Sequence, residues 1–318
     1  MLNKVQEIVA WPLQCEMCLM PLLAKPAGGE RTVAKTPMVY RCWNRIRRGH
    51  IRGWEDTQNN SYDHARAGSS AYLAAADRGL TFEISKAIGQ QAAVMLWDVH
   101  KYFDSVQVPE LLQRAERTGY PALDLSLGLA MHTAPRLLQN QQNLSDGTTV
   151  NASLLAGCSQ SVPLTRAYLS EAIDEVTEEP ELHITTYVDD VGMGAVGTAA
   201  KVIDILTDSS IKFVRGLIKA KLKVADKSVL VASSRALAHR IRSKLSQAGI
   251  HMLEAPFARD LGLTFNLSGK RSTAGLQSRH SQARSRLLKI KSLTEVNKRA
   301  RRLAAAAGLS KATWGRPT

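Results

Sequence analysis

The sequence predicts an α+β fold, a mainly antiparallel sheet backed by helices, and three features carry that expectation. Ile184-Thr185-Thr186-Tyr187-Val188 is a β-branched, aromatic run that reads as a buried strand and ends in two adjacent carboxylates, Asp189 and Asp190. Ala92-Ala93-Val94-Met95-Leu96-Trp97 is a continuous apolar run leading straight into Asp98, with Phe103 and Asp104 just beyond. Helical patterns alternate with these strands.

Taken in order, residues 40–52 read as a helix carrying Arg41, Arg45, Arg47, Arg48 and Arg52; a solvated face and a nucleic-acid contact both fit it. Pro109 to Thr118 has proline at a helix start and Gly119 just past the end. Pro163 to Thr177 is a further helix. After Asp190, Gly192 and Gly194 suit a tight return, which places both aspartates on a hairpin turn. Val229-Leu230-Val231 is a short strand, and Ser234 caps a helix that runs through Ala248 until Gly249 stops it. Arg279 to Arg302 holds nine Lys/Arg against one acid, Glu295, with Leu287, Leu288, Ile290, Leu293 and Val296 interspersed. It reads as a basic amphipathic helix or pair of helices. The run Ala304 to Ala307 also fits a helix.

Chemistry concentrates at the strand ends. Two like charges 4 Å apart repel by about 4 kcal/mol at an effective dielectric near 20, so Asp189 and Asp190 call for a cation. An Asp-Asp pair alone also fits a helix cap or a solvated loop. Asp98 at a second strand end adds a third carboxylate, and hard divalent ions such as Mg²⁺ take oxygen ligands of this kind together with substrate phosphates. That grouping suggests phosphoryl transfer with two metals.

Charge is distributed unevenly. The chain has 318 residues and a formal net charge of +14; residues 1–195 hold 17 Lys/Arg against 22 Asp/Glu, and residues 196–318 hold 25 against 6. The acidic part contains the metal candidates, and the basic part suits a phosphate backbone. Cys15-x-x-Cys18 is half of a zinc pattern that Cys42 and Cys158 do not complete, so reduced thiols of an intracellular protein are expected. The longest apolar stretch, Ile8 to Ala24, is broken by Pro12, Gln14, Glu16 and Pro21, and no signal peptide is evident. The expectation is a protein of nucleus or cytoplasm, neither secreted nor membrane-embedded.

From Pro21 to Phe265 the chain resembles a reverse transcriptase, most closely the polymerase domain of non-LTR retrotransposons. Asp98-Val99-His100-Lys101-Tyr102-Phe103-Asp104-Ser105-Val106 is similar to the family's first catalytic motif, and Gly157-Cys158-Ser159-Gln160-Ser161-Val162-Pro163-Leu164 to its second. Tyr187-Val188-Asp189-Asp190 resembles the third, Leu222 to Ser228 the lysine-bearing fourth, Asp260-Leu261-Gly262 the fifth, and Ala24 to Arg31 the fingers segment. Ser161 stands where the family usually has Gly, and Thr165-Arg166 where it usually has Ser-Pro. An added Cβ at 161 would narrow the nucleotide pocket or shift its backbone.

The resemblance implies a right-hand polymerase, with fingers and palm in residues 1–270 and the start of a basic helical thumb in 271–318. It implies an RNA-directed DNA polymerase with RNA template, DNA primer and deoxynucleoside triphosphates as partners. Asp98, Asp189 and Asp190 would hold two Mg²⁺ ions, with Mn²⁺ as the alternative. Lys25 and Arg31 would clamp the triphosphate. Lys227 would donate a proton to pyrophosphate or be a plain surface lysine. Phe103 would exclude a 2′-hydroxyl or simply pack in the core, while Gln160 and Tyr187 would line the nucleotide pocket. Arg45, Arg48, Arg299, Arg301 and Arg302 would contact nucleic acid, although a nuclear-import patch resembles the last three. A catalytically decayed fragment that binds nucleic acid only, and an RNA-dependent RNA polymerase, are the alternative functions. No second carboxylate constellation suits a ribonuclease H or endonuclease, and the chain is expected to be part of a longer element.

Overall fold

The computed structural model describes residues 1–25, 28–58, 60–266 and 274–313. Pro26 and Ala27 of the fingers segment, and the boundary expected at 270/271, lie outside them. In chain order the elements are α1 (Leu2–Ile8), β1 (Cys18–Ala24), β2 (Glu30–Thr32), α2 (Met38–Thr57), α3 (Ala71–Ala87), β3 (Gln91–Trp97), α4 (Tyr102–Ser105), α5 (Val108–Arg117) and α6 (Ala122–Thr133). Then come β4 (Arg136–Asn140), β5 (Asn143–Leu144), α7 (Ser161–Thr177), β6 (His183–Tyr187), β7 (Asp190–Gly197), α8 (Ala199–Lys219), β8 (Val229–Ala232), α9 (Arg235–Gln247) and β9 (Leu253–Glu254). The hairpin β10 (Ala258–Asp260) and β11 (Leu263–Phe265) precedes α10 (Ala274–Val296), two irregular helical turns over Lys298–Arg302 and Ala304–Leu309, and α11 (Ser310–Thr313).

A five-stranded sheet in the order β6-β7-β3-β8-β9 forms the centre, antiparallel except for β8 with β9. Strand β3 is continuously apolar because both its faces are covered. Ala93, Met95 and Trp97 join Val191 and Met193 in the main core with α5, α7, α8 and α9, while Ala92, Val94 and Val231 meet Phe82 of α3 and Ala258 of β10 on the other face. Local signals act as the sequence suggests: Ser234 Oγ accepts from Leu237 N at 3.2 Å, and Gly119 and Gly249 follow their helices with φ of 71° and 76°.

Gly192 and Gly194 need a different account from the tight return expected of them. Both lie within β7, and the turn is Val188-Asp189. A Cβ on Gly192 would stand 2.2 Å from Cζ of Arg78, and one on Gly194 would stand 2.1 Å from Cζ of Phe82. These glycines are bare so that one face of α3 can press onto the sheet.

A second core gathers α1, β1, α2 and α6 around Trp11, Tyr40 and Trp43, whose rings lie 5.4–6.1 Å apart. Above it runs a sheet in the order β2-β1-β4-β5, with β1 and β4 parallel across a long stretch of sequence. The basic C-terminal segment departs from expectation. It is helical through Val296, but it is not two-faced: Leu288, Leu293 and Val296 are exposed, Ala283 is buried, and α10 packs mainly on the turns that follow it. Among the described residues no helix is long and apolar enough to cross a membrane.

Candidate active site

The hairpin β6–β7 closes with Tyr187 paired to Asp190, leaving Val188 and Asp189 as a two-residue turn. Val188 has φ 60°, a left-handed conformation that a β-branched side chain adopts only under constraint, at a cost of about 1–3 kcal/mol. The constraint comes from residues 60–65, which run alongside the edge of β6. Thr186 N donates to Tyr62 O at 2.8 Å, and His64 N donates to Thr186 O at 2.9 Å.

Register brings the third carboxylate to the same place. Trp97 pairs with Val191, so Asp98, the next residue on its strand, stands across from Asp190. Residues 223–228 are laced to it: Ala225 N donates to Asp98 O at 2.8 Å, Asp98 N donates to Ser228 Oγ at 3.1 Å, and His100 N donates to Lys223 O at 2.8 Å. This sets Lys227 Nζ 2.9 Å from Asp98 Oδ2. A cavity of about 420 Å³ opens here, with Asp98, Asp190, Lys227, Arg78, Asp260 and Leu261 in its walls.

The carboxylates sense one another. Burial raises the Asp189 carboxyl above its ordinary range; Asp98 adds to the rise, while its own backbone amide and Lys227 oppose it. Asp190 is raised to about 6, first by burial and then by Asp189, Asp98 and Asp260. Among the described residues, no three His, Cys, Asp or Glu side chains already close around a metal position. The donor set nonetheless fits a hard divalent ion in both respects that matter, since it is all oxygen and carries an excess of negative charge.

The remaining expected site residues are placed unevenly. Lys25 and Arg31 are exposed on the β1–β2 hairpin, where Leu23 pairs with Arg31, and among the described residues neither forms an ion pair with the acidic cluster. Tyr187 is half-buried at the end of β6, and Phe103 is half-buried on α4, its ring edge-on to Tyr102 at 5.4 Å. Gln160 is a correction: it is wholly buried, and Nε2 donates to Asn44 Oδ1 at 2.7 Å, so its side chain braces α2 against the loop before α7 and lines no open pocket. Arg45 and Arg48 flank a groove of about 830 Å³ together with Arg41, Arg52 and Arg66, on the side of α2 that faces Gly157–Pro163. Arg299, Arg301 and Arg302 are exposed on the turn after α10.

Both departures from the family pattern are accommodated. Ser161 opens α7 and its hydroxyl turns inward, donating to Leu155 O at 2.7 Å. Arg166 is largely buried, with Nη1 2.6 Å from Glu55 Oε1 and Nε on the Asp63 carboxylate. Sequence reading missed Arg166, Asp63, Arg78 and Asp260 as a supporting shell. One signal was there to be read: glycines two apart on one strand call for bulky residues four apart on a covering helix, and Arg78 and Phe82 are those residues.

The family model for reverse transcriptase (RNA-dependent DNA polymerase) matches residues 23–241. No curated protein matches the chain. The fold is similar to apo telomerase from Candida tropicalis, with TM-score 0.55, 13% identity, and coverage of 88% of this chain and 52% of that one. The same telomerase truncated from its C-terminal domain gives TM-score 0.54, 12% identity, and coverage of 83% and 57%. Telomerase from Candida albicans in complex with a TWJ fragment of telomeric RNA gives TM-score 0.51, 10% identity, and coverage of 90% and 54%. The chain spans a little over half the length of each, and identities this low speak for the fold alone.

Proposed function

The chain belongs to the reverse transcriptase (RNA-dependent DNA polymerase) family, and from that membership we propose an RNA-directed DNA polymerase of non-LTR retrotransposon type, which adds deoxynucleotides to a DNA primer on an RNA template. The observation that carries the reading is the meeting of Asp98 with Asp189 and Asp190 at one end of the central sheet, with Lys227 against Asp98. Family members are nucleotidyltransferases, and phosphoryl transfer of this kind depends on positioning and electrostatics more than on covalent chemistry.

Asp98, Asp189 and Asp190 would hold the ions, Mg²⁺ or alternatively Mn²⁺. Bound there, two divalent ions supply activation of the primer 3′-hydroxyl and neutralisation of charge on the leaving pyrophosphate. Lys227 holds its proton at Nζ beside the same cavity, where it can serve the departing phosphate. Lys25 and Arg31 reach the triphosphate from the β1–β2 hairpin, and Phe103 shapes the sugar pocket beside Tyr187. The arginines of α2 guide the template through the basic groove, and Arg299, Arg301 and Arg302 meet the duplex. Residues 1–270 act as fingers and palm, and 271–318 begin the thumb. An intracellular setting, nucleus or cytoplasm, accords with four free cysteines.

The decayed-fragment alternative draws on Ser161, Arg166 and the short length of the chain; against it, Ser161 and Arg166 both make buried contacts within the fold. Primer extension on an RNA template with Mg²⁺ tests the proposal. Extension by the native chain and its loss in Asp189→Asn, with an unchanged melting profile, is the expected pair of results. An Asp189→Asn variant as active as the parent would reject the assigned site.

A further inference from the structure

Arg78 makes an unusual set of contacts for an arginine in an alanine-rich helix. It is 6% exposed, its Nε donates to Thr185 Oγ1 at 2.8 Å, and its Nη1 donates to Asp260 Oδ2 at 2.6 Å. Thr185 is the register partner of Gly192, and the guanidinium lies over that pair, filling the space a Cβ on Gly192 would need. One cation thus ties three strands together: β6 through Thr185, β7 through the bare face of Gly192, and β10 through Asp260. The Thr185–Gly192 pair is two residues from Tyr187–Asp190, the pair that closes the hairpin around Val188 and Asp189.

Asp260, likewise 6% exposed, ends β10 and pairs with Leu263. Between them is a two-residue turn, Leu261-Gly262, with φ of 45° and 89°. Leu261 and Asp260 wall the same cavity as Asp98, Asp190 and Lys227. The turn therefore forms the far side of the space that the acidic tip faces. A buried Arg–Asp pair is a poor source of stability, because desolvation consumes most of the Coulomb gain, and an apolar pair of similar size does as well or better. What such a pair supplies is a single allowed arrangement, since a forked guanidinium fixes direction as well as distance.

We propose that Arg78 is a positioning residue that fixes the 261–262 turn against the hairpin carrying the aspartates, so that the two walls of the cavity keep one separation during nucleotide addition. It acts through Asp260 and Thr185 and touches no reacting atom. The inference rests on the polymerase reading for its consequence, though not for its geometry.

The test uses the full chain and two variants, Arg78→Met and Arg78→Met/Asp260→Leu. The single variant strands a buried carboxylate and is expected to lose stability. The double variant removes both charges and is expected to regain most of the lost melting temperature. Single-nucleotide addition by the double variant should remain slowed tenfold or more, with KM for the nucleotide within about twofold of the parent. Amide exchange over 258–265 should be faster than in the parent while β3 is unchanged. Recovery of the rate in step with the melting temperature would overturn the proposal, because Arg78 would then be a packing residue. If the parent chain shows no extension at all, the polymerase reading fails by itself and exchange decides the inference: faster exchange over 258–265 supports it, and unaltered exchange overturns it.

Discussion

Replacing Arg166 by methionine isolates what this chain's departure from the family pattern contributes. The Arg166 side chain is 11% exposed, Asp63 is 9% exposed and Glu55 is 25% exposed. Removing the cation leaves Asp63 buried with the Ala65 amide, at 2.8 Å, as the remaining partner of its side chain among the described residues. Breaking one partner out of a buried pair costs about 3–5 kcal/mol. Because Ala65 N stays in place, the lower end, ~3 kcal/mol, is the better figure for Asp63. Glu55 is open enough to rehydrate and adds ~0.5 kcal/mol at most. For a chain of this size each kcal/mol shifts the melting temperature by about 2–4 °C, so the midpoint should fall by about 6–12 °C. Thermal melts followed by circular dichroism measure it, and raising salt to 1 M should change the difference little, because a buried pair is weakly screened. Arg166→Met/Asp63→Asn should recover at least half of the loss by removing the stranded charge. A drop below ~2 °C in the single variant would refute the reasoning, since it would make the cluster a solvated surface pair.

Three further outcomes follow from the site. Asp190 titrates near 6, above the ordinary carboxylate range, so the folded state binds its proton more tightly than the unfolded chain does. The sign is therefore reversed from that of a salt-bridged acid: without divalent ions, stability should fall as pH rises through about 6, and Asp190→Asn should flatten that slope in melts from pH 5 to 8. Extension activity should move the opposite way, declining as the carboxylates protonate, at a pH below that of the metal-free transition because a bound divalent ion competes with the proton. Neutralising Arg45 and Arg48 should weaken single-stranded RNA binding with a salt slope lower by roughly 0.7 per lost contact, while neutralising Arg299, Arg301 and Arg302 should flatten the slope for duplex by roughly 0.9 per contact; unchanged slopes would remove that segment from the nucleic-acid path. Cutting Phe103 to alanine should admit ribonucleotides, with discrimination relaxed by about tenfold or more, and an unaltered preference for deoxynucleotides would make the ring core packing alone.

Much of the central fold was legible because its signals are local. The run into Asp98, the run into Asp189 and the caps at Ser234 and Gly249 each depend on a few neighbouring residues, and each sits where the pattern placed it. The parallel pairing of β1 with β4 was not legible, because it joins residues more than a hundred positions apart and neither strand carries a distinctive pattern. Gly192 and Gly194 were misread for a related reason. A glycine in a strand signals either a turn or a close approach, and only the covering helix decides between them. Gln160 shows the same limit from the other side, since motif position marked it as pocket-lining, while Asn44, contributed from α2, drew its amide inward.

The shell around the aspartates explains why the same few residues meet here. Asp98, Asp190 and Asp260 wall the cavity, and Asp189 forms the adjoining turn; Lys227 pairs with Asp98, Arg78 pairs with Asp260, and Arg259 lines the same cavity. Among the described residues neither Asp189 nor Asp190 forms an ion pair, and burial together with the neighbouring carboxylates shifts both upward. A side-chain cation fixed on Asp189 and Asp190 would lower that strain permanently and would also close the site to phosphates and their ions. A deficit left open at a strand tip, held rigid by Thr186 on one side and Ser228 on the other, is the arrangement in which an exchangeable divalent ion does more for the folded chain than any fixed lysine could.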